Sequence, residues 1–273
     1  MQAASRESYR AAVERLETYV RGAQPSAIAA TADELLAVAG LLRREPRLRR
    51  ALSDPARPGT DRAALVAGML GGKVGADALD LVGALVAGRW STSSELLDGA
   101  ERLGVDALLA GAESNGDLGE VEDELFRFGQ LVDAEPQLSN LLTDPIAPVS
   151  QRAGLVRDLL AGKARPATVA LVEVALAGFG GRSLHGALTR LVELAADRQD
   201  RQVAYVTVAA PLGDDEERRL GDQLARIYGR QVDVKQNVDP AVLGGVSVQV
   251  GPDLYDGTVL RRLSQTRNAL AKR

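Results

Sequence analysis

Few residues in this chain could do chemistry. His185 is the sole histidine and there is no cysteine. A catalytic or metal-bound imidazole needs an acid partner or a second ligand, and no such pairing motif surrounds His185. It reads as an ordinary helix-surface residue. Without cysteine there is no thiol nucleophile, disulfide or thiolate metal site. Gly68 to Lys73 looks superficially like a phosphate loop. The spacing fails, because Ala67 stands five before Gly72 and Val74 occupies the place of the magnesium-binding hydroxyl. The similar pair Gly162-Lys163 follows Arg157 rather than a glycine. Both pairs read as helix C-termini. Gly244-Gly245 precedes a strand pattern, so it lacks the helix N-terminus that binds anions, and it reads as backbone geometry.

Two further features have an inert and an active reading. Trp90, the single tryptophan, reads as core, with an interface contact as the other reading. The acids Glu113, Asp117, Glu120, Glu122, Asp123 and Glu124 suit the positive end of a helix and read as a solvated face; docking to a basic partner is the alternative. No constellation here could run a reaction, bind a cofactor or hold a metal, so neither cofactor nor metal is expected.

The elements that must position these residues follow from composition. Of 273 residues 45% are hydrophobic and only 3% aromatic, which favours helical cores built from Ala, Leu and Val. A net charge of −4 lacks the positive field that nucleic acid requires. Only four of the 33 basic residues are lysine, a bias that reads as a GC-rich genome. Residues 1–20 are too charged for a secretory signal. The most apolar stretch, Ala78 to Gly88, is short and interrupted by Asp80, so direct insertion into a membrane is not expected.

The chain repeats itself at an interval of 90 residues. Glu45-Pro-Arg-Leu-Arg-Arg-Ala-Leu-Ser-Asp-Pro returns as Glu135-Pro-Gln-Leu-Ser-Asn-Leu-Leu-Thr-Asp-Pro, and Arg62-Ala-Ala-Leu-Val as Arg152-Ala-Gly-Leu-Val. From Glu34 to Ser93, 22 of 60 positions match their partner without a gap, far beyond chance, so the segment is a duplication. Each copy reads as a string of short helices. Pro46 and Pro136 open one helix, and Asp54-Pro55 and Asp144-Pro145 follow its end. Thr60 and Ser150 are expected as N-caps of the next, which Gly72 and Gly162 stop. Ser93 to Ala112 is the last helix of one copy and the first of the other, so one long helix should serve both. Asn115-Gly116 breaks it and Asp117 caps the following helix.

After Arg201 the pattern changes. Gln202 to Ala209 and Gln231 to Val238 read as strands, with a helix from Asp214 to Gly229 between them. Asp239-Pro240 turns the chain, Leu243 to Val250 gives a third strand, and Asp256 starts a final helix with Val259, Leu263, Thr266 and Leu270 on one side. The expected fold is mainly α: a helical repeat over 1–104, a second over 105–200, and a small β-α-β-β-α module over 201–273.

The module resembles the ATP synthase delta subunit family, which includes the mitochondrial oligomycin-sensitivity-conferral protein. Val203-Ala-Tyr-Val-Thr-Val-Ala-Ala-Pro-Leu looks like that family's first strand and helix entry. Asp239-Pro240 with Gly244-Gly245 matches its Asp-Pro-x-x-x-Gly-Gly turn. Asp256, Thr258 and Leu263 match the start of its last helix, with Thr258 where serine is usual. Asp106 to Pro145, Arg152-Ala-Gly-Leu-Val and Ala177 to Leu194 resemble the family's helical domain. The duplication departs from the typical single domain and is similar to the long actinobacterial form.

The resemblance implies a non-catalytic stator subunit of the proton-translocating ATP synthase. The helical domain would bind N-terminal helices of the alpha subunits, and the module a membrane-anchored b-type stalk. The chain would then lie peripherally on the cytoplasmic face of the bacterial plasma membrane. By the same resemblance the head-binding groove uses the first and fifth helices of each copy. Its candidates are Val13, Leu16, Val82 and Val86 in copy one, and Val105, Leu109, Val172 and Leu176 in copy two. The other readings are a helical-repeat scaffold for a different complex, and an enzyme with a site between the helical and α/β parts.

Overall fold

The computed structural model describes residues 1–240, 242 and 244–257. Its contacts divide into two compact units, one formed by Met1–Leu125 with Gln137–Leu188, the other by Phe126–Pro136 with the chain from Thr189 onward.

The first unit carries copy one and part of copy two; residues 126–136 and those from Thr189 to the end of copy two belong to the second unit. Copy one contains α1 (Ala3–Val20), α2 (Pro25–Arg44), α3 (Pro46–Leu52), α4 (Gly59–Leu70) and α5 (Ala76–Ala87). The 22-residue α6 (Ser93–Ser114) follows, as the repeat predicts. It closes copy one and opens copy two, which continues with α7 (Leu118–Ala134), α8 (Pro136–Thr143), α9 (Val149–Leu160), α10 (Pro166–Leu176) and α11 (Leu184–Arg198). Between Leu96 and Ala112 no residue of α6 is exposed. That burial explains its glycines. A Cβ on Gly99 would strike the Trp90 ring at 2.4 Å, and one on Gly104 would strike Leu36 of α2 at 2.6 Å. Trp90 is core, and its indole N–H donates to the Leu85 carbonyl at 2.9 Å.

Helix ends follow the sequence with one correction. Gly72 and Gly162 adopt φ of +73° and +66° beyond α4 and α9, and Gly116 does the same at +77° beyond α6. Thr60 and Ser150 are not N-caps. Both helices start two residues earlier than such caps imply, and Pro58 and Pro148 take the cap position. Their extended backbone leaves the proline carbonyl free to accept from the amides three and four residues on, so no side-chain cap is used.

The second unit is built on four strands, β1 (Arg201–Val208), β2 (Gln231–Val238), β3 (Val246–Val250) and β4 (Asp253–Asp256), with α12 (Asp214–Tyr228). The spatial order is β2-β1-β3-β4. β1 runs parallel to β2, joined through α12, and antiparallel to β3. Ala204, Val206 and Val208 of β1 form a core with Leu224 of α12 and with Val232, Val248 and Val250. Gly221 lets α12 lie against β2, since a Cβ there would stand 3.2 Å from the Val232 carbonyl. Tyr205 points the other way. Its hydroxyl donates to the Thr189 carbonyl of α11 and its ring lies 6.3 Å from Phe126 of α7.

The third strand begins at Val246, later than the sequence pattern implies. Gly244 and Gly245 before it hold φ of +92° and +84°, outside strand geometry and costly for any residue with a Cβ. β4 was not foreseen; its four residues pair antiparallel with β3 through Ser247–Val250. Asp256 ends that strand. Thr258, Leu263 and the rest of the expected final helix lie outside the described residues.

Candidate partner-docking faces

In copy one, α1 and α5 lie antiparallel. The hydroxyl of Ser8 donates to the Arg89 carbonyl at 2.8 Å, and one turn-pair further along Arg15 and Asp80 form a two-point ion pair at 2.5 Å. Both charged groups are about half exposed, so the pair sits at the rim and adds little stability. Between these fixed ends the surface is made of small residues: Ala11 and Ala87 are exposed, Gly83 and Ala84 half-buried. Exposed Arg6, Glu7, Arg10 and Glu14 continue the outer face of α1.

The eight residues singled out for head binding lie inward of the surface of their helices. Leu16, Val82, Val86, Val105, Leu109, Val172 and Leu176 are all core, none more than 5% exposed. Val13 is half-buried. They hold the helices together. Copy two differs further. Its first helix is α6, whose sides are already covered, and Val105 stands at the place of Arg15.

Each copy keeps internal contacts that set the position of its fifth helix. The Glu34 carboxylate accepts from the Gly75 amide at 3.0 Å, capping α5. Its repeat partner Glu124 accepts from the Arg165 amide at 2.9 Å and from the Thr168 hydroxyl, capping α10. The Arg165 side chain pairs with Asp117 and Glu120, so part of the acid cluster has an internal partner. Arg62, buried to 3%, donates to the Asp54, Ala87 and Gly88 carbonyls at 2.9 to 3.3 Å.

His185 is exposed. Among the described residues no group of three His, Cys, Asp or Glu could hold a metal ion. The Tyr9 hydroxyl is held far above its ordinary range by burial, then by Asp106, to which it donates. A phenol so held is a structural donor between α1 and α6 rather than an acid near neutral pH. Gly72-Lys73 and Gly162-Lys163 are helix ends, with both lysine amides donating to the carbonyl three residues earlier.

In the second unit, Ile227 of α12 and Leu254 and Tyr255 of β4 are apolar side chains left exposed, at 65%, 59% and 46%. Asp239 and Pro240 make the turn after β2, where the Asp239 amide donates to the Val208 carbonyl.

These features define a class: a tandem helical bundle sharing one central helix, followed by a small mixed α/β module. Comparison with known proteins narrows it. A family model described as ATP synthase delta (OSCP) subunit matches residues 105–270. The ATP synthase subunit delta of Salinispora arenicola is 77% identical over the whole of both chains. That of Streptomyces griseus is 46% identical over 99% of this chain and 100% of its own. A chain from the Toxoplasma gondii mitochondrial ATP synthase hexamer, 20% identical, overlaps 61% of this chain and 94% of its own at a TM-score of 0.33. The chain belongs to the ATP synthase delta (OSCP) subunit family, which forms part of the peripheral stalk of that enzyme complex. The family match covers copy two and the module, while the full-length relatives include copy one as well.

Proposed function

We propose that the chain is a passive, non-catalytic link: its helical part grips the catalytic head through alpha-subunit N-terminal helices, and its α/β module grips a b-type stalk anchored in the membrane. On this reading the chain sits peripherally at the cytoplasmic face of the bacterial plasma membrane. Its task is to stop the head from following the rotor while proton flow drives ATP synthesis. Family membership supports the reading, as does a surface offering grooves and exposed apolar positions. Holding of this kind calls for tight binding at both ends, and a nanomolar grip corresponds to about −12 kcal/mol.

One observation supports copy one as the copy that holds a helix. The α1/α5 surface of copy one is open, while α6 has no exposed residue from Leu96 to Ala112. The proposed head site is therefore the strip of small residues Ala11, Gly83, Ala84 and Ala87, against which an amphipathic helix can lay its apolar side. The sequence left open whether both copies bind; the burial of α6 favours one site, on copy one.

Titration of the full chain with the alpha-subunit N-terminal peptide tests this. The expected stoichiometry is one, with binding lost in Ala11→Glu, a substitution at an exposed position that costs folding only tenths of a kcal/mol. A stalk fragment should still bind that variant, and should instead be lost when Ile227 and Leu254 are both changed to Asp. Two peptide sites, or one site indifferent to Ala11→Glu, sinks the copy-one assignment. Loss of both partners from Ala11→Glu sinks the division of labour.

A further inference from the structure

The two copies carry opposite surfaces at the same corner. Where α2 hands over to α3, copy one has Arg43, Arg44, Arg47, Arg49 and Arg50. At the matching positions copy two has Asp133, Ala134, Gln137, Ser139 and Asn140. A coding bias toward arginine cannot account for this, because both copies lie in one chain. Two of the five arginines have internal work. Arg43 pairs with buried Glu101 of α6, and Arg49 donates to the Leu42 carbonyl at 3.4 Å. Arg44, Arg47 and Arg50 have none: all three are exposed, and their side chains have no ion-pair partner among the described residues.

Their spacing is regular. Arg44, Arg47 and Arg50 recur every third residue, and Arg47 and Arg50, one turn apart within α3, share one side of that helix. The helix is fixed, since Pro46 starts it and Leu52 at its end is 1% exposed. Beside this row Leu41, Leu48 and half-exposed Met69 border an apolar crease between α2, α3 and α4. The crease has room for only about 10 Å³, less than one water, so a partner lies across it rather than inserting. A charged row beside an apolar strip suits an anionic, amphipathic occupant. Guanidinium forks match carboxylates in a bidentate way, so the recognised chemistry is acidic.

We propose that the α2–α3 corner of copy one is a docking surface for an acidic, amphipathic polypeptide segment of another subunit of the synthase. Asp and Glu of that segment meet Arg44, Arg47 and Arg50, and its apolar side covers Leu41 and Met69. The inference rests on membership in the synthase complex but not on which end of the chain holds the head or the stalk.

The test uses the assembled complex. Changing Arg44, Arg47 and Arg50 to Lys keeps the charges and supplies amines, in a chain with only four other lysines. Zero-length carbodiimide coupling then joins a lysine amine to a carboxylate only where the two already touch. The expected result is an amide cross-link from at least one of the three positions to an Asp or Glu of another subunit. Lysines placed at exposed Ala134, Gln137 and Asn140 of copy two should give none. In parallel, changing the three arginines to Glu should weaken incorporation into delta-depleted complex about tenfold or more at low salt, with the gap closing near ~0.5 M salt. Unchanged thermal melting excludes misfolding as the cause. Absence of any intersubunit cross-link, or full binding by the triple Glu variant, overturns the proposal. So does arginine-dependent binding of the isolated chain to vesicles of anionic lipid with no cross-link in the complex, which assigns the corner to a membrane surface.

Discussion

Glu34 and Glu124 stand 90 residues apart and do the same thing: each reaches from the second helix of its copy to cap the fifth. Arg44 and Ala134 also stand 90 apart and share nothing. Copy one and copy two therefore agree where side chains hold helices in place and disagree where they face solvent. Leu52 and Leu142, Val66 and Val156 and Val82 and Val172 repeat in the interior. On the surface, exposed Leu141 and Ile146 of copy two replace Ala51 and Ala56 of copy one, while copy one gains its arginine row. A duplicated bundle tolerates new surface chemistry because surface changes cost little, whereas the interior resists change in volume. The difference teaches that the copies are one scaffold with two different surfaces.

The largest expected asymmetry lies in a residue both copies keep. Arg62 makes three hydrogen bonds from a buried position, tying the α3–α4 loop to the end of α5. Half-buried Arg152 makes one, to the Leu142 carbonyl at 2.8 Å. Arg62→Ala should therefore cost about 2–4 kcal/mol of stability and Arg152→Ala about 1 kcal/mol, from lost charge-assisted hydrogen bonds and lost packing of the stem. Urea melts of the two full-length variants compare them directly. Equal midpoints would mean that the copies are braced alike and that the hydrogen-bond difference has no energetic consequence.

The capping glutamates give a smaller effect with the order reversed. Removing a helix cap costs about 1 kcal/mol, and roughly 2 where a buried hydroxyl also loses its acceptor. Glu34→Ala leaves only the Gly75 amide uncapped. Glu124→Ala also strands the hydroxyl of Thr168, which is 1% exposed. Copy two should suffer more. Amide exchange at Gly75 and at Arg165 reads each cap separately, and protection unchanged at both positions would show that water replaces the carboxylates without loss.

Much of this was legible in advance, and the parts that were not share a cause. The 90-residue repeat fixed the helix order and the shared α6, because matching residues must build matching helices. Glycines at +φ helix ends were readable at Gly72, Gly116 and Gly162, since few other residues adopt that backbone. The change from helix to strand at Arg201 was readable too, and Asp200 there is the lone non-glycine residue with positive φ among those described. Which residues of an apolar stripe stay open was not. Periodicity says that Leu16, Val105 and Leu109 lie on an apolar stripe, but it cannot say whether that stripe faces a neighbour in the same chain or a partner. Here the neighbour won, and the open positions are small residues such as Ala11 that carry no signal in sequence. β4 escaped notice because Asp253–Asp256 has neither the length nor the branched residues of a strand; its register with β3 makes it one. The arginine row was visible only as a bias in composition until copy two supplied the contrast.

The smallest prediction concerns pH and belongs to copy one alone. Glu95 accepts from the Ser5 hydroxyl at 2.6 Å and the Gln2 amide at 2.7 Å, with the chain's N-terminal ammonium 3.6 Å away. The Ser5 hydrogen bond is the main cause holding its carboxyl below the ordinary glutamate value, with help from the amide and the ammonium, against some burial. Its repeat partner is His185, so copy two has no counterpart. A lowered folded-state pKa means the unfolded chain binds the proton more readily. The contribution is then complete above the ordinary glutamate range near pH 4.5, and is lost as pH falls through and below it. Global melting is a poor readout, because burial raises Asp33 and Asp98, which stabilise the fold on acidification and oppose the trend. Local exchange of the amides of residues 2–9 avoids this. Their protection should hold from neutral pH to about 5 and fall below it once the intrinsic pH dependence of exchange is removed. In Glu95→Gln the early protection should be lower and should not change across that window. A native chain whose first turn of α1 stays equally protected down to pH 3 would show that Ser5 and Ser91, which also bond to each other at 3.3 Å, hold the segment without the carboxylate.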